Sequence, residues 1–223
     1  MENGYFEEKL KNLKQTTRLS DADVEYLKRN SVRRNYYNGQ NIHGNDGSCT
    51  GIIFINSGIV RVYLMSDEGK EVTLYRLYEG DYCMLSASCV LQSISFEVHV
   101  DAETDCDVFI IRPAAFGELM KNNVYLENFA LNVAVNRFSE VMWAMQQVLF
   151  MNLDRRLAAF LYDEYARTGN TVIRMTHEQI ARNIGSAREV VTRMLRYLAK
   201  EGVIEVERGG VTILDKAKLQ ALI

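Results

Sequence analysis

Proline is nearly absent, with Pro113 the only one in 223 residues. Its missing amide costs nothing at the first position of a helix, so the sequence around it predicts a helix start. Histidine is scarce too. His43, His99 and His177 show no His-x-His pair and no clustered carboxylates beside them, which argues against a metal-dependent enzyme of the cupin kind. The four cysteines, Cys49, Cys83, Cys89 and Cys106, include no Cys-x-x-Cys pair, the usual core of a zinc or iron–sulfur site. They stand as inert thiols first, then as a thiol redox sensor, and last as ligands of a metal, cluster or haem. No apolar run reaches the length of a membrane span, and the opening MENGYFEEKLKNLK has no signal-peptide core. The expectation is a cytoplasmic protein with reduced thiols and no membrane partner.

A strong excess of one charge is also missing, since the formal net charge is −3. That value alone speaks against nucleic acid, but the charge is unevenly divided. Residues 152–223 carry 12 Lys and Arg against 9 Asp and Glu, whereas residues 1–151 carry 14 against 20. The basic surplus falls where the pattern suits DNA.

That pattern is Met175 to Gly202, MTHEQIARNIGSAREVVTRMLRYLAKEG. Thr176 followed three residues later by Gln179 reads as a capping box opening a helix. Ile180, Ala181 and Ile184 form its inner face, and Gly185 supplies the positive φ of a tight turn. Ser186 is expected to cap the second helix. Val190, Val191, Met194, Leu195 and Leu198 bury that helix, leaving Arg188, Glu189, Thr192 and Arg193 outward. Arginine offers a fork to guanine, glutamate accepts from the cytosine amino group, and threonine reaches a phosphate or a thymine methyl. His177, on the first turn, faces a phosphate or solvent. Two alternating apolar runs around Arg208-Gly209-Gly210 then predict a hairpin, so the unit reads as a winged helix-turn-helix.

The first half has a different period. Residues 5–30 read as a helical lead-in, with a helix start at Ser20-Asp21-Ala22-Asp23. From there to Arg112 the alternation is of period two, over residues 51–55, 59–64, 72–77, 96–100 and 108–111, punctuated by glycine turns. Many short strands of this kind make a β-roll or sandwich. Residues 124–151 contain no glycine or proline and read as one long helix. Leu126, Phe129, Val133, Val141, Ala144, Val148 and Met151 form a stripe suited to a parallel coiled coil, broken by Asn136, Arg137 and Glu140. Asp154 is expected to cap a further helix, 155–167. The α+β architecture predicted is therefore an N-terminal β-roll, double-stranded β-helix or jelly-roll-like, over 1–123, a dimerisation helix over 124–151, and a winged helix-turn-helix over 152–223.

This order of parts resembles the CRP/FNR family of bacterial transcription regulators, and the resemblance covers nearly the whole chain. It rests on Asn56-Ser57-Gly58 with Val60-Arg61-Val62, Gly69-Lys70-Glu71, Gly80-Asp81 and above all Thr176 to Gly202. It implies that Arg188, Glu189 and Arg193 contact bases and that Thr176 and Thr192 lie near phosphates. The departures bear on the signal. Cyclic-nucleotide-binding members follow Gly-Asp with a glutamate that holds the ribose, but here Tyr82-Cys83-Met84-Leu85 follows. Their Arg-Ser/Thr-Ala run, which neutralises the cyclic phosphate, is replaced by Phe96-Glu97-Val98. Burying a phosphate beside Glu97 without a cation costs several kcal/mol, so these residues argue against cyclic AMP, and the cofactor or effector stays unknown. An organic effector would meet an apolar pocket of Tyr82, Met84, Leu85 and Phe96, with Glu97, between the roll and the long helix.

The function expected is a homodimeric, non-enzymatic regulator that binds double-stranded DNA at a palindromic operator, works with RNA polymerase, and responds to a small molecule or redox signal. A thiol- or metal-based sensor of the same fold, a cupin-like enzyme and a non-specific DNA- or partner-binding protein are the alternatives.

Overall fold

The structure is a computed structural model of the chain and describes residues 4–44, 50–84 and 98–223. It divides into two compact units, 1–64 with 74–141, and 65–73 with 142–223.

The first unit opens with helices α1 (Gly4–Thr17) and α2 (Asp21–Arg29). Ser20 caps α2 in a reciprocal capping box with Asp23, the start expected from the sequence. Eight strands follow: β1 (Ser31–Tyr36), β2 (Asn41–His43), β3 (Ile52–Ser57), β4 (Val60–Met65), β5 (Glu71–Leu77), β6 (Tyr82–Cys83), β7 (His99–Ala102) and β8 (Cys106–Ile111). They form two four-stranded sheets, ordered β1-β8-β3-β6 and β2-β7-β4-β5, so each sheet interleaves strands distant in sequence. The strands β1, β2 and β6 are not foreseen from the sequence. β1 has a mostly exposed run, β2 has three residues and β6 has two, too little for a period to register.

Alternation along β3 explains the two cores of this unit. Ile53 and Ile55 point into the roll with Val60, Val62, Leu74, Leu77, Val100 and Val108. Ile52 and Phe54 point the other way, into a cluster with Phe6, Leu10, Leu27, Phe109, Phe116 and Leu126. A strand buried on both faces reads as a continuous apolar run. Pro113 opens α3 (Pro113–Asn122) at its first turn.

Helix α4 spans Val124–Phe150. One of its stripes is committed to the first unit: Leu126 and Ala130 are buried, Phe129 and Val133 pack beside them, and Val141 packs on the roll core. Of the stripe expected from the sequence, Leu126, Phe129, Val133 and Val141 therefore pack within the first unit, whereas Val148 is exposed. Among the apolar residues left exposed, Leu131, Val135, Phe138, Met142, Met145 and Leu149 alternate at spacings of four and three, the a/d pattern of a coiled coil. The helix has two apolar stripes, and spacing alone does not tell which one its own sheet covers.

The second unit contains α5 (Leu153–Thr168), β9 (Val172–Ile173), α6 (His177–Ile184), α7 (Arg188–Lys200), β10 (Ile204–Glu207), β11 (Gly210–Ile213) and α8 (Lys216–Ala221). Asn152, not Asp154, is the N-cap of α5; Asp154 lies within the first turn, where its charge favours the helix dipole. Leu157, Leu161, Ile180, Val191, Leu195, Leu198, Ile204 and Val211 meet in one core. The wing is the antiparallel pair β10–β11, joined through Arg208 and Gly209, and β9 adds a third strand beside β11. Gly210 lies so close to β9 that a Cβ there would come within 2.9 Å of the Ile173 carbonyl.

Candidate nucleic-acid interface

The hydroxyl of Thr176 accepts the Gln179 amide at 3.2 Å, and the Gln179 side chain accepts the Thr176 amide at 2.8 Å. This closes the first turn of α6. At its other end Gly185 takes φ 63° and ψ 46° and donates to the Ala181 carbonyl. Ser186 donates its backbone amide to the same carbonyl at 2.9 Å. The expected side-chain cap from Ser186 is not formed. Ala187 occupies the N-cap of α7 and makes no side-chain cap, because Ser186 is drawn into the end of α6, one residue too early to reach the free amides of α7.

Arg188, Glu189 and Arg193 are exposed, and none is drawn into a salt bridge among the described residues. Val191, Leu195 and Leu198 anchor the opposite face, so helical spacing turns the three polar side chains outward together. Arg196, Tyr197 and Lys200 continue this face and are exposed; the sequence reading stopped one turn too soon, although 192–196–200 follows the same i, i+4 rule.

Thr192 is placed differently. It is half-buried, and its hydroxyl lies 2.9 Å from Nδ1 of His177. Its oxygen is thus engaged inside the helix pair. Burial, then the positive charges of Arg188 and Arg196, hold the His177 imidazole below its ordinary 6.5, which favours the neutral ring at pH 7.

Of the proposed pocket residues, Tyr82 stacks edge-on against Phe129 of α4 at 5.7 Å and tilts over Phe54 at 5.2 Å. Met84 is buried in the same cluster. Leu85, Phe96 and Glu97 lie outside the described residues, as do Cys49 and Cys89. Arg137, expected only as part of a polar break in the long helix, has partners in the roll. From α4 its guanidinium reaches Glu140 at 2.8 Å and Asp81 of the Gly80-Asp81 turn at 3.3 Å, and lies over the Tyr75 ring at 5.2 Å. Burial pushes the Tyr75 hydroxyl well up, with Cys83 beside it adding to the shift.

Cys83 and Cys106 are buried. The Cys106 thiol donates towards the carbonyls of Ile59 and Thr104 at 3.2 Å, and burial raises its pKa, so it is protonated and a poor nucleophile. Among the described residues no three His, Cys, Asp or Glu side chains gather to hold a metal, and no helix is long and apolar enough to cross a membrane.

Comparison with known proteins matches both units. Residues 33–123 match the cyclic nucleotide-binding domain, and residues 155–222 the Crp-like helix-turn-helix domain. A solved structure of a putative transcriptional regulator of the Crp/Fnr family from Eubacterium rectale is 41% identical, with a TM-score of 0.87 over 92% of this chain and 95% of that one. The transcriptional regulator SdrP of Thermus thermophilus is 27% identical, covering 74% of this chain and 80% of its own length. The cAMP-activated global transcriptional regulator Vfr of Pseudomonas aeruginosa is 24% identical, covering 71% and 78%. These relatives are transcription regulators by name. The chain belongs to the CRP/FNR family of DNA-binding transcription regulators.

Proposed function

We propose that this chain is a homodimeric regulator that reads a palindromic operator through Arg188, Glu189 and Arg193, and that its signal is a small molecule other than cyclic AMP. The observation that carries the DNA reading is the outward display of these three side chains on one face of α7, beside a two-stranded wing. Recognition helices of this kind use the N-terminal part of the helix on base edges. Ser186, Thr176 and His177, at the helix ends nearest that face, are assigned to the phosphates. The test is selection of bound sites from a randomised duplex pool, with wild type returning a two-fold symmetric consensus. A pool no different from the input would overturn the reading.

Dimerisation is assigned to the exposed Leu131-to-Leu149 stripe of α4, flanked by a β-roll over 1–123 and a DNA-binding part over 152–223. The effector is assigned to the side of the roll where Tyr82 meets α4. Against cyclic AMP stands the sequence itself: Leu85 and Phe96-Glu97 replace the groups that would hold ribose and phosphate. RNA polymerase is the expected partner at the promoter, in the cytoplasm. Cys106, buried and hydrogen-bonded to two backbone carbonyls, is poorly placed to serve a metal- or thiol-based sensor.

A further inference from the structure

We propose that DNA binding by this chain takes up a proton at His177, the residue that ties the first turn of α6 to Thr192 of the recognition helix. The inference rests on the reading of α6 and α7 as the DNA interface.

The geometry defines what the ring can do. Nδ1 lies 2.9 Å from the Thr192 hydroxyl, so the imidazole is held in one orientation and Nε2 is left as its outward atom. With a neutral ring that carries its proton on Nε2, the Thr192 O–H donates to Nδ1. With a protonated ring, Nδ1–H donates to the Thr192 oxygen instead. The hydroxyl proton of Thr192 is then released to donate elsewhere, and Nε2 remains a donor. Relative to the Nε2–H tautomer, one added proton yields one more hydrogen-bond donor on α7 as well as one positive charge.

The charges around the ring set the direction. From α7, Arg188 and Arg196 oppose its protonation, as does its burial. On α6 itself, the neighbouring Glu178 is exposed and turned to Arg182 at 3.4 Å. The other helix packed on α6, α5, brings Arg156 to the opposite end, at the Ile184 carbonyl. The ring thus sits in a cationic surrounding at the N-terminus of a helix, a place that favours anions. In helix-turn-helix complexes the first helix crosses the sugar-phosphate backbone. A phosphate arriving there brings its own negative charge beside the ring, which favours the imidazolium.

The pKa of His177 is then higher in the complex than in the free chain. Linkage gives the sign: the added affinity is complete below the free-chain value, which lies under 6.5, and is lost as pH rises through the value in the complex. The effect belongs to the backbone contact, so it does not depend on base sequence.

The experiment is fluorescence anisotropy of the full chain with a labelled mixed-sequence duplex at pH 6, 7 and 8 and constant ionic strength. Wild type is compared with His177→Gln and His177→Arg. Wild-type affinity is expected to fall about three- to tenfold across this range, while His177→Gln is nearly flat and His177→Arg is flat and tighter at pH 8. His43 and His99 are common to all three proteins and cancel. Calorimetry of wild type in two buffers of different ionisation enthalpy is expected to show proton uptake that His177→Gln lacks. Equal pH slopes in wild type and both variants would overturn the proton coupling while leaving the interface standing. Loss of duplex binding by wild type at every pH would overturn both.

Discussion

The guanidinium of Arg137 on α4 lies 3.3 Å from the Asp81 carboxylate in the turn before β6. This pairing accounts for the polar interruption in an otherwise apolar helix: Arg137 and Glu140 form an i, i+3 pair at 2.8 Å that faces the roll rather than a second helix. Arg137 is 14% exposed, but Asp81 and Glu140 are 37% and 43% exposed. Both carboxylates keep access to water, so the ion pairs contribute little. Arg137→Met is expected to lower stability by about 1 kcal/mol or less, read as a small shift in urea midpoint at unchanged slope. A loss of several kcal/mol would show that the guanidinium is a structural keystone.

The two stripes of α4 are expected to separate assembly from folding. Phe138 is 64% exposed on the four-three stripe, so Phe138→Glu is expected to give a folded monomer with much weaker operator binding. Val141 packs on the roll core, so Val141→Glu buries an unpaired charge and is expected to cost at least about 2 kcal/mol of stability. Sedimentation and thermal melts on the pair decide the matter. A dimeric Phe138→Glu protein would move the interface elsewhere.

Base reading by α7 predicts different signatures for different residues. Arg188→Ala and Glu189→Ala are each expected to cost about 1–3 kcal/mol on the preferred site and to relax preference at one or two base pairs. Half-sites are expected about one helical turn apart, roughly 34 Å. The measurement is randomised-site selection followed by titration at fixed salt, because the backbone contribution alone moves affinity by orders of magnitude. An unchanged consensus in both variants would remove α7 as the reader.

Cyclic AMP is expected to show no binding at micromolar concentration in calorimetry with the full chain. A micromolar dissociation constant would mean that other groups supply the missing charge and ribose contacts.

Much of this protein is legible along the chain. The cap at Thr176, the turn at Gly185 and the wing are local features: a side-chain oxygen two or three residues from a free amide, a glycine at positive φ, and an alternation of period two. The cap expected from Ser186 fails for an equally local reason, since the ending of α6 takes that residue first. The partner of Arg137 is not legible in the sequence, because Asp81 is more than fifty residues away and an arginine in a helix carries no mark of what it faces.

Sequence alone therefore determined the order of β-rich half, long helix and winged helix-turn-helix, and that α7 turns Arg188, Glu189 and Arg193 outward, because hydrophobic period and chain punctuation act over a few residues. Tertiary structure decided which stripe of α4 the roll keeps and which it leaves exposed, that Arg137 reaches Asp81, and that Thr192 is held by His177. Each of these depends on what lies opposite a side chain in space, and the strand order β1-β8-β3-β6 brings together residues that no short-range pattern connects.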